Sequence, residues 1–482
     1  MKRREFVLGV AGASLLAACA RPLKESKNID NQPVIVVGAG LSGLAAAYEL
    51  KRLGIPVQVI EQAGFAGGRI QTLRDQFDDG TWFDAGAMSA GAGYENLIRY
   101  CNEFSLERVT PPRPEGRADG LVLWDEQEFS LNALRLGDSD WPVSLKNDEV
   151  SLAPARLLSH YLRPLAEKIQ TIENVMSPKF SDYDGMSLGT YLLKSGASEA
   201  ALGLVNHTLN YNSLASVSTL SAVRDLLRFM VAPQGPSFHV KDGNGGLIDG
   251  FMKRLANVVR FDTQLTSIKD NGNGLQLMVR HKGAFETIPA RRVIITLPFT
   301  ALRKIDFEPG LPRTRKRIID TLPYTQVAKT FVQTSTKFWA EQNISSVYSN
   351  SPYERIFDMS SSVPGSKGML LNWINGDGLG EFTKLSSKAH GEHVLGWMRK
   401  AWPQYANQFG KAVTINWAHS YAEGAYAHFA PGQMQQFVPE IPKPIGGVHF
   451  AGEHTQLVEP GMEGALTSGV RAAKEVANVW VS

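Results

Sequence analysis

Apolar residues fall into short continuous runs near both ends of the chain, and through much of the middle they recur at helical spacing. The run Val34–Val37 predicts a buried strand; Gly38, Ala39 and Gly40 break it, and a periodic apolar segment from Leu41 predicts a helix. Ile55–Ile60 predicts a second strand, and Phe77–Phe83 a short strand pair around an Asp-Asp-Gly turn. From Tyr94 to about Arg228 the pattern is mainly helical, interrupted at Pro111–Pro114 and Ser177–Gly185. Further strands are predicted at Val258–Phe261, Leu265–Ile268, Leu275–Arg280 and Val293–Leu297, with Asn271-Gly272 and Lys282-Gly283 as turns. Gln326–Lys329 leads into an alternating strand that ends at Phe338-Trp339. Val448–Phe450 predicts a last strand, and Gly461 opens a helix running through Arg471 and Ala472.

The first strand, turn and helix carry the clearest chemistry. Gly38 permits the sharp turn, Gly40 lets backbone approach a pyrophosphate, and Gly43 lets the helix, with Leu41 and Ser42 in its first turn, lie close on the strand. Free amides and the positive helix end then face phosphates. Glu61 closes the second strand roughly 20 residues past the glycines, where a carboxylate accepts hydrogen bonds from a ribose 2′-OH. These features predict dinucleotide binding and leave NAD and FAD both open. Gly67, Gly68 and Arg69 add a second phosphate-reaching loop and a guanidinium fork.

The run from Glu61 to Arg69 resembles the signature that follows the acid in the flavin-dependent amine oxidases, which include monoamine, polyamine and L-amino-acid oxidases. The resemblance implies FAD. It also implies an α/β fold: a Rossmann-type FAD-binding domain (33–90, 237–298, 418–482) plus an interleaved α+β substrate domain (91–236, 299–417). Asp84–Ser89 resembles the segment beneath the flavin, which implies cofactor contacts for Gly86, Ala87 and Met88. Ser89 stands where many L-amino-acid oxidases carry a carboxylate-clamping arginine, which weakens an amino-acid reading without excluding it. Leu265 matches a residue whose backbone touches the adenine, and Gly452, Glu453, Gly461 and Met462 match the second flavin motif.

Lys329, at the family's distance from Phe338-Trp339, matches the lysine that holds a water against flavin N5 and assists reaction with oxygen. Trp417–Tyr426 resembles one wall of the aromatic cage of monoamine oxidases, with Tyr426 as a cage tyrosine. Ala425 replaces the cysteine that bonds to flavin there, so noncovalent FAD is expected. Gly461 replaces the second cage aromatic, leaving a half-open pocket bounded by Ser89, Tyr426 and Gly461. The implied reaction oxidises the C–N bond of an amine or L-amino acid to an imine, which hydrolyses to an aldehyde or keto acid while oxygen becomes hydrogen peroxide or electrons pass to a carrier. A C–C desaturase or protoporphyrinogen-oxidase-like flavoprotein and a non-catalytic FAD-binding lipoprotein are the alternative readings. Asn206, His207, Asn210 and Tyr211 read as capping or core polar groups.

The 482 residues, 43% hydrophobic and 20% charged, suit a globular protein with two cores. A net charge of +3 from 50 basic and 47 acidic residues does not indicate nucleic acid. No zinc spacing, P-loop or serine-nucleophile elbow competes. Residues 1–19 read as an export signal: Arg3-Arg4 resembles a twin-arginine motif, and Leu16–Cys19 a lipobox acylated at Cys19, the alternative being a Sec-type signal with an incidental cysteine. The acylated protein would sit in the periplasm or cell envelope, held to the membrane through a polar tether over 20–32. Cys101 would then have no disulfide partner, and a homodimer is left open.

Overall fold

A computed structural model describes residues 32–110, 119–125, 127–231, 235–350, 352–360 and 365–480. The export signal, Cys19 and residues 20–31 of the tether lie outside the described residues. Five strands drawn from distant parts of the chain form one parallel sheet in the order Val448–Phe450, Arg292–Ile295, Val34–Val37, Val57–Ile60, Val259–Arg260. Val34–Val37 sits at its centre with both faces covered, which is why it reads as a continuous apolar run. Helices Leu41–Arg52 and Gly461–Trp480 lie against each other beside this sheet, and Gly469 lets their backbones meet: a Cβ there would stand 2.3 Å from the Ser42 carbonyl oxygen.

A four-stranded sheet leads with Ala284–Ala290, followed by Leu275–His281, Thr263–Asp270 and Asp306–Glu308. A seven-stranded sheet runs Phe409–Asn416, Val327–Thr334, Gly368–Asn375, Arg355–Asp358, Ile344–Ser349, Asp119–Trp124, Gln127–Ser130. It is antiparallel except where Ile344–Ser349 pairs with Asp119–Trp124.

Several sequence expectations need correction. Asp119–Trp124 and Gln127–Ser130 are strands inside the stretch read as mainly helical; Leu121–Leu123 is a short buried apolar run, which periodicity alone cannot assign. The pair expected around Phe77–Phe83 instead joins Thr72–Leu73 to Phe83–Asp84, with Phe77–Gly80 forming the turn between them. Ala284–Ala290 is a further strand beyond those expected, and it accommodates Pro289 because it lies on the edge of its sheet. The strand bearing Lys329 does not alternate: it is buried on both faces and stops at Thr334, and Phe338-Trp339 lies in a following helical turn.

Candidate functional site

The glycine turn has the geometry that a phosphate needs. Gly38 adopts φ +106°, and a Cβ on Gly43 would stand 1.9 Å from the Gly38 carbonyl oxygen, so the helix can approach the strand only with glycine there. Gly40, by contrast, faces open space: a Cβ there would meet no atom within 4 Å. It caps helix Leu41–Arg52 without any side chain covering the first amides, leaving these donors for an anion. Leu41 is buried in the core, and the Ser42 hydroxyl is paired with Ser468 (3.2 Å), so both reach a ligand through their backbone alone. Ser468 also accepts from the Gly452 amide (2.8 Å), tying both glycine motifs into one unit.

Glu61 is buried at the end of its strand, and its two carboxylate oxygens accept the amides of Ala39 (2.8 Å) and Ala63 (2.8 Å). Burial pushes its pKa up, while the amides of Ala63, Ala39 and Gln62 pull it down. The carboxylate thus fixes the glycine turn and has lone pairs left for a ribose. It opens on a cavity of about 200 Å³ that Leu265, Thr263, Leu297 and Tyr421 also line. Glu61 and Leu265 therefore face one compartment.

Gly67 and Gly68 both have positive φ, and a bridge between Gly67 and Gly40 brings the two loops together. Arg69 donates to the Ala425 carbonyl (2.7 Å) and to Glu453 (2.9 Å), a pairing that sequence reasoning did not anticipate. Gly86 lies so close to Arg69 that a Cβ would stand 1.8 Å from the Arg69 carbonyl oxygen. Ala87 and Met88 are half-buried beside it, whereas Ser89 is exposed.

Lys329 is 3% exposed, and its ammonium donates to the Gly86 carbonyl oxygen. It lies 4.4 Å from the centroid of the Trp373 ring, its cross-strand partner. Burial drives its pKa down to about 7, with the Asp84 charge opposing the fall. Asp84 is driven up to about 6 by burial, against hydrogen bonds from Thr72 and Asn244 and the charges of Lys329 and Arg74. Tyr426 is half-buried and pairs in register with Thr325; burial raises its phenol well above the ordinary range, with Arg355 opposing, so it stays neutral at physiological pH. Arg355, itself buried, donates to the Thr208 and Leu209 carbonyls and to Asn210, and lies on the Trp373 ring at 6.0 Å.

Gly461, at φ +75°, opens helix Gly461–Trp480, and the nearest atom to a Cβ there would be the Tyr94 hydroxyl at 3.9 Å. Met462 is buried in the core beneath, so only its amide is placed to meet a ligand. Trp373 and Arg355 were not singled out from the sequence, and Asp84 and Tyr421 were read only as parts of their segments, with no role of their own. Trp373 and Arg355 acquire their positions from strand pairing, which leaves no local signal. Among the described residues, no group of three or more His, Cys, Asp or Glu could hold a metal ion.

A profile of the flavin containing amine oxidoreductases matches residues 41–477. Similar proteins include an L-amino-acid oxidase of Bothrops pauloensis, 26% identical over 455 residues (92% of this chain, 88% of the relative), and one of Bungarus fasciatus, 24% identical over 469 residues (94% and 88%). Among solved structures, cyclohexylamine oxidase from Brevibacterium oxydans IH-35A superposes with a TM-score of 0.77 at 21% identity, covering 94% of this chain and 100% of that one. The fold is thus that of the two-domain FAD amine oxidases. The uncapped helix end and the cavity beside Glu61 fit a dinucleotide such as FAD, and the chain belongs to the flavin containing amine oxidoreductase family.

Proposed function

We propose that this enzyme oxidises the α-C–H of a primary or secondary amine, or of an L-amino acid, at a half-open pocket between Tyr426 and Gly461. Bound FAD supplies the two-electron acceptor. The substrate loses a hydride equivalent and a proton to become an imine, and water then splits the imine into a carbonyl compound and ammonia or a smaller amine. Oxygen takes up the two electrons and two protons as hydrogen peroxide.

The observation that carries this reading is the contact of the buried Lys329 ammonium with the Gly86 carbonyl, against the face of the Trp373 ring. In this arrangement Lys329 holds positive charge where oxygen is reduced, and its remaining N–H groups can orient a water. Tyr426 and Trp373 orient an uncharged amine by their ring faces and keep bulk water away. Glu61 would take the ribose, the amides at Gly40, Leu41, Ser42 and Gly43 would take the pyrophosphate with Gly67, Gly68 and Arg69, and Leu265 would line the adenine compartment. Gly86, Ala87 and Met88, together with Gly452, Glu453 and the helix end at Gly461 and Met462, would hold the flavin end of FAD. Ala425 leaves FAD without a covalent link. Exposed Ser89 carries no charge for a carboxylate, so the substrate screen must span both amines and amino acids. Purified holoenzyme assayed for peroxide against such panels tests the proposal; no peroxide with any of them, on a chain fully loaded with FAD, refutes it.

We also infer export and lipid anchoring, supported by the Arg3-Arg4 pair, the short apolar stretch and the run ending in Cys19. Cys19→Ser is expected to move the protein from the membrane fraction to the soluble one. A wild-type chain that is soluble with an unmodified N-terminus contradicts this.

A further inference from the structure

Asp84 is buried among groups that leave it little freedom. One carboxylate oxygen accepts the Thr72 hydroxyl (2.5 Å) and the Asn244 amide (3.1 Å), and the other lies 3.3 Å from the same amide. Thr72 is held in turn by the Gly245 amide (2.8 Å), and the Asn244 side chain donates to the Ala87 carbonyl (2.9 Å) and accepts the Val240 amide (3.0 Å). Three separate segments, at 72, 84 and 244, are thereby knotted to the loop whose Gly86 carbonyl receives the Lys329 ammonium. The same hydrogen bonds hold a buried carboxylate, two residues from Gly86 in the chain, whose charge acts on the buried lysine.

We propose that Asp84, locked by Thr72 and Asn244, is the positioning residue for Lys329: it holds in place the loop whose Gly86 carbonyl receives the ammonium. The inference rests on the reading of Lys329 as the flavin-facing group. Among the described residues, Asp84 is the titratable group that acts on Lys329, and Lys329 and Arg74 are the charges that act on Asp84. Arg74 is exposed and spends its guanidinium on the Asp242 carbonyl (2.6 Å) and the Trp82 ring, so solvent screens its share. Trp373 contributes a ring face and no titration. With the carboxylate present, Lys329 keeps its proton to a higher pH than burial alone allows.

The test uses the FAD-loaded protein and reads the midpoint potential of the bound flavin across pH roughly 5 to 9, a range that brackets both groups. A cation nearby favours the reduced anion, so titration of Lys329 appears as a break in potential against pH. Asp84→Asn keeps the shape and acceptor oxygen while removing the charge. The break should move to lower pH, because the Asp84 charge opposes the fall that burial imposes on Lys329. Lys329→Met should abolish it. Thr72→Val, which retains the carboxylate but frees it from one donor, serves as the second variant should Asp84→Asn fail to fold; its break should shift measurably from the wild-type position. A break that Lys329→Met abolishes but that stays in place in the Asp84→Asn variant, or in Thr72→Val where that variant stands in, overturns the role of Asp84 and leaves the reading of Lys329 intact. A wild-type profile that Lys329→Met does not change overturns both.

Discussion

Replacing Lys329 with Met should change how stability depends on pH, and the size of the change follows from the burial of the ammonium. An unfolded chain holds this proton up to the ordinary lysine pKa of 10.5, whereas the folded protein releases it at about 7. Between these values the unfolded state binds more protons than the folded one, so the contribution of Lys329 makes unfolding free energy rise with pH across that window. Below pH 7 both states are protonated and the full desolvation cost is present; above 10.5 it is gone. The difference between 10.5 and about 7 is 3.5 units, worth about 5 kcal/mol over the whole window. Lys329→Met fills similar volume without charge and removes this dependence. It also strands the Gly86 carbonyl, a cost of about 1–3 kcal/mol that is the same at every pH. The pH slope is therefore diagnostic where the absolute stability is not. Urea unfolding of wild type and variant in a pH series gives the difference curve directly. The variant should gain on the wild type most near and below pH 7 and lose that advantage steadily towards 10.5. A difference that is flat across the window refutes the buried, proton-shedding lysine.

Glu61→Ala should weaken FAD retention by about 1.5–3 kcal/mol, the worth of hydrogen bonds to a charged group, and the variant should purify partly colourless; full flavin content at limiting FAD counts against the assignment. Gly43→Ala drives a methyl to 1.9 Å from the Gly38 carbonyl oxygen and should cost about 1–3 kcal/mol or more, lowering the melting temperature together with FAD content; an unchanged melt would show that the turn yields freely. Acid precipitation should leave the flavin in a yellow supernatant, since Ala425 offers no thiol; flavin held in the pellet contradicts noncovalent binding.

The features that could be read from the sequence are those written in local covalent chemistry. Gly38 and Gly43 announce a strand–turn–helix because each answers a local steric demand, whereas Gly40 leaves open space at the helix end, and the fold places Glu61 against that turn through Ala39. Lys329 stood out through its distance from Phe338-Trp339, although the strand between them is shorter and more buried than its pattern suggested. What escaped depends on pairing between remote segments. Trp373 faces Lys329 across a strand pair, Arg69 finds Glu453 from the other end of the chain, and Asp84 meets Asn244 only once the fold is closed. Ala284–Ala290 also lay beyond the expected strands: as an edge strand half open to solvent it tolerates Pro289 and a pattern that a central strand would reject.

The central claim, flavin-dependent oxidation of an amine, is tested most directly by mixing the FAD-loaded enzyme anaerobically with panels of amines and L-amino acids while the flavin absorbance is followed in a stopped-flow instrument. The account predicts that at least one panel member bleaches the flavin band, and that oxygen then restores it with release of one hydrogen peroxide per flavin. A flavin that stays oxidised with every amine and amino acid, while a chemical reductant still bleaches it, would contradict the account.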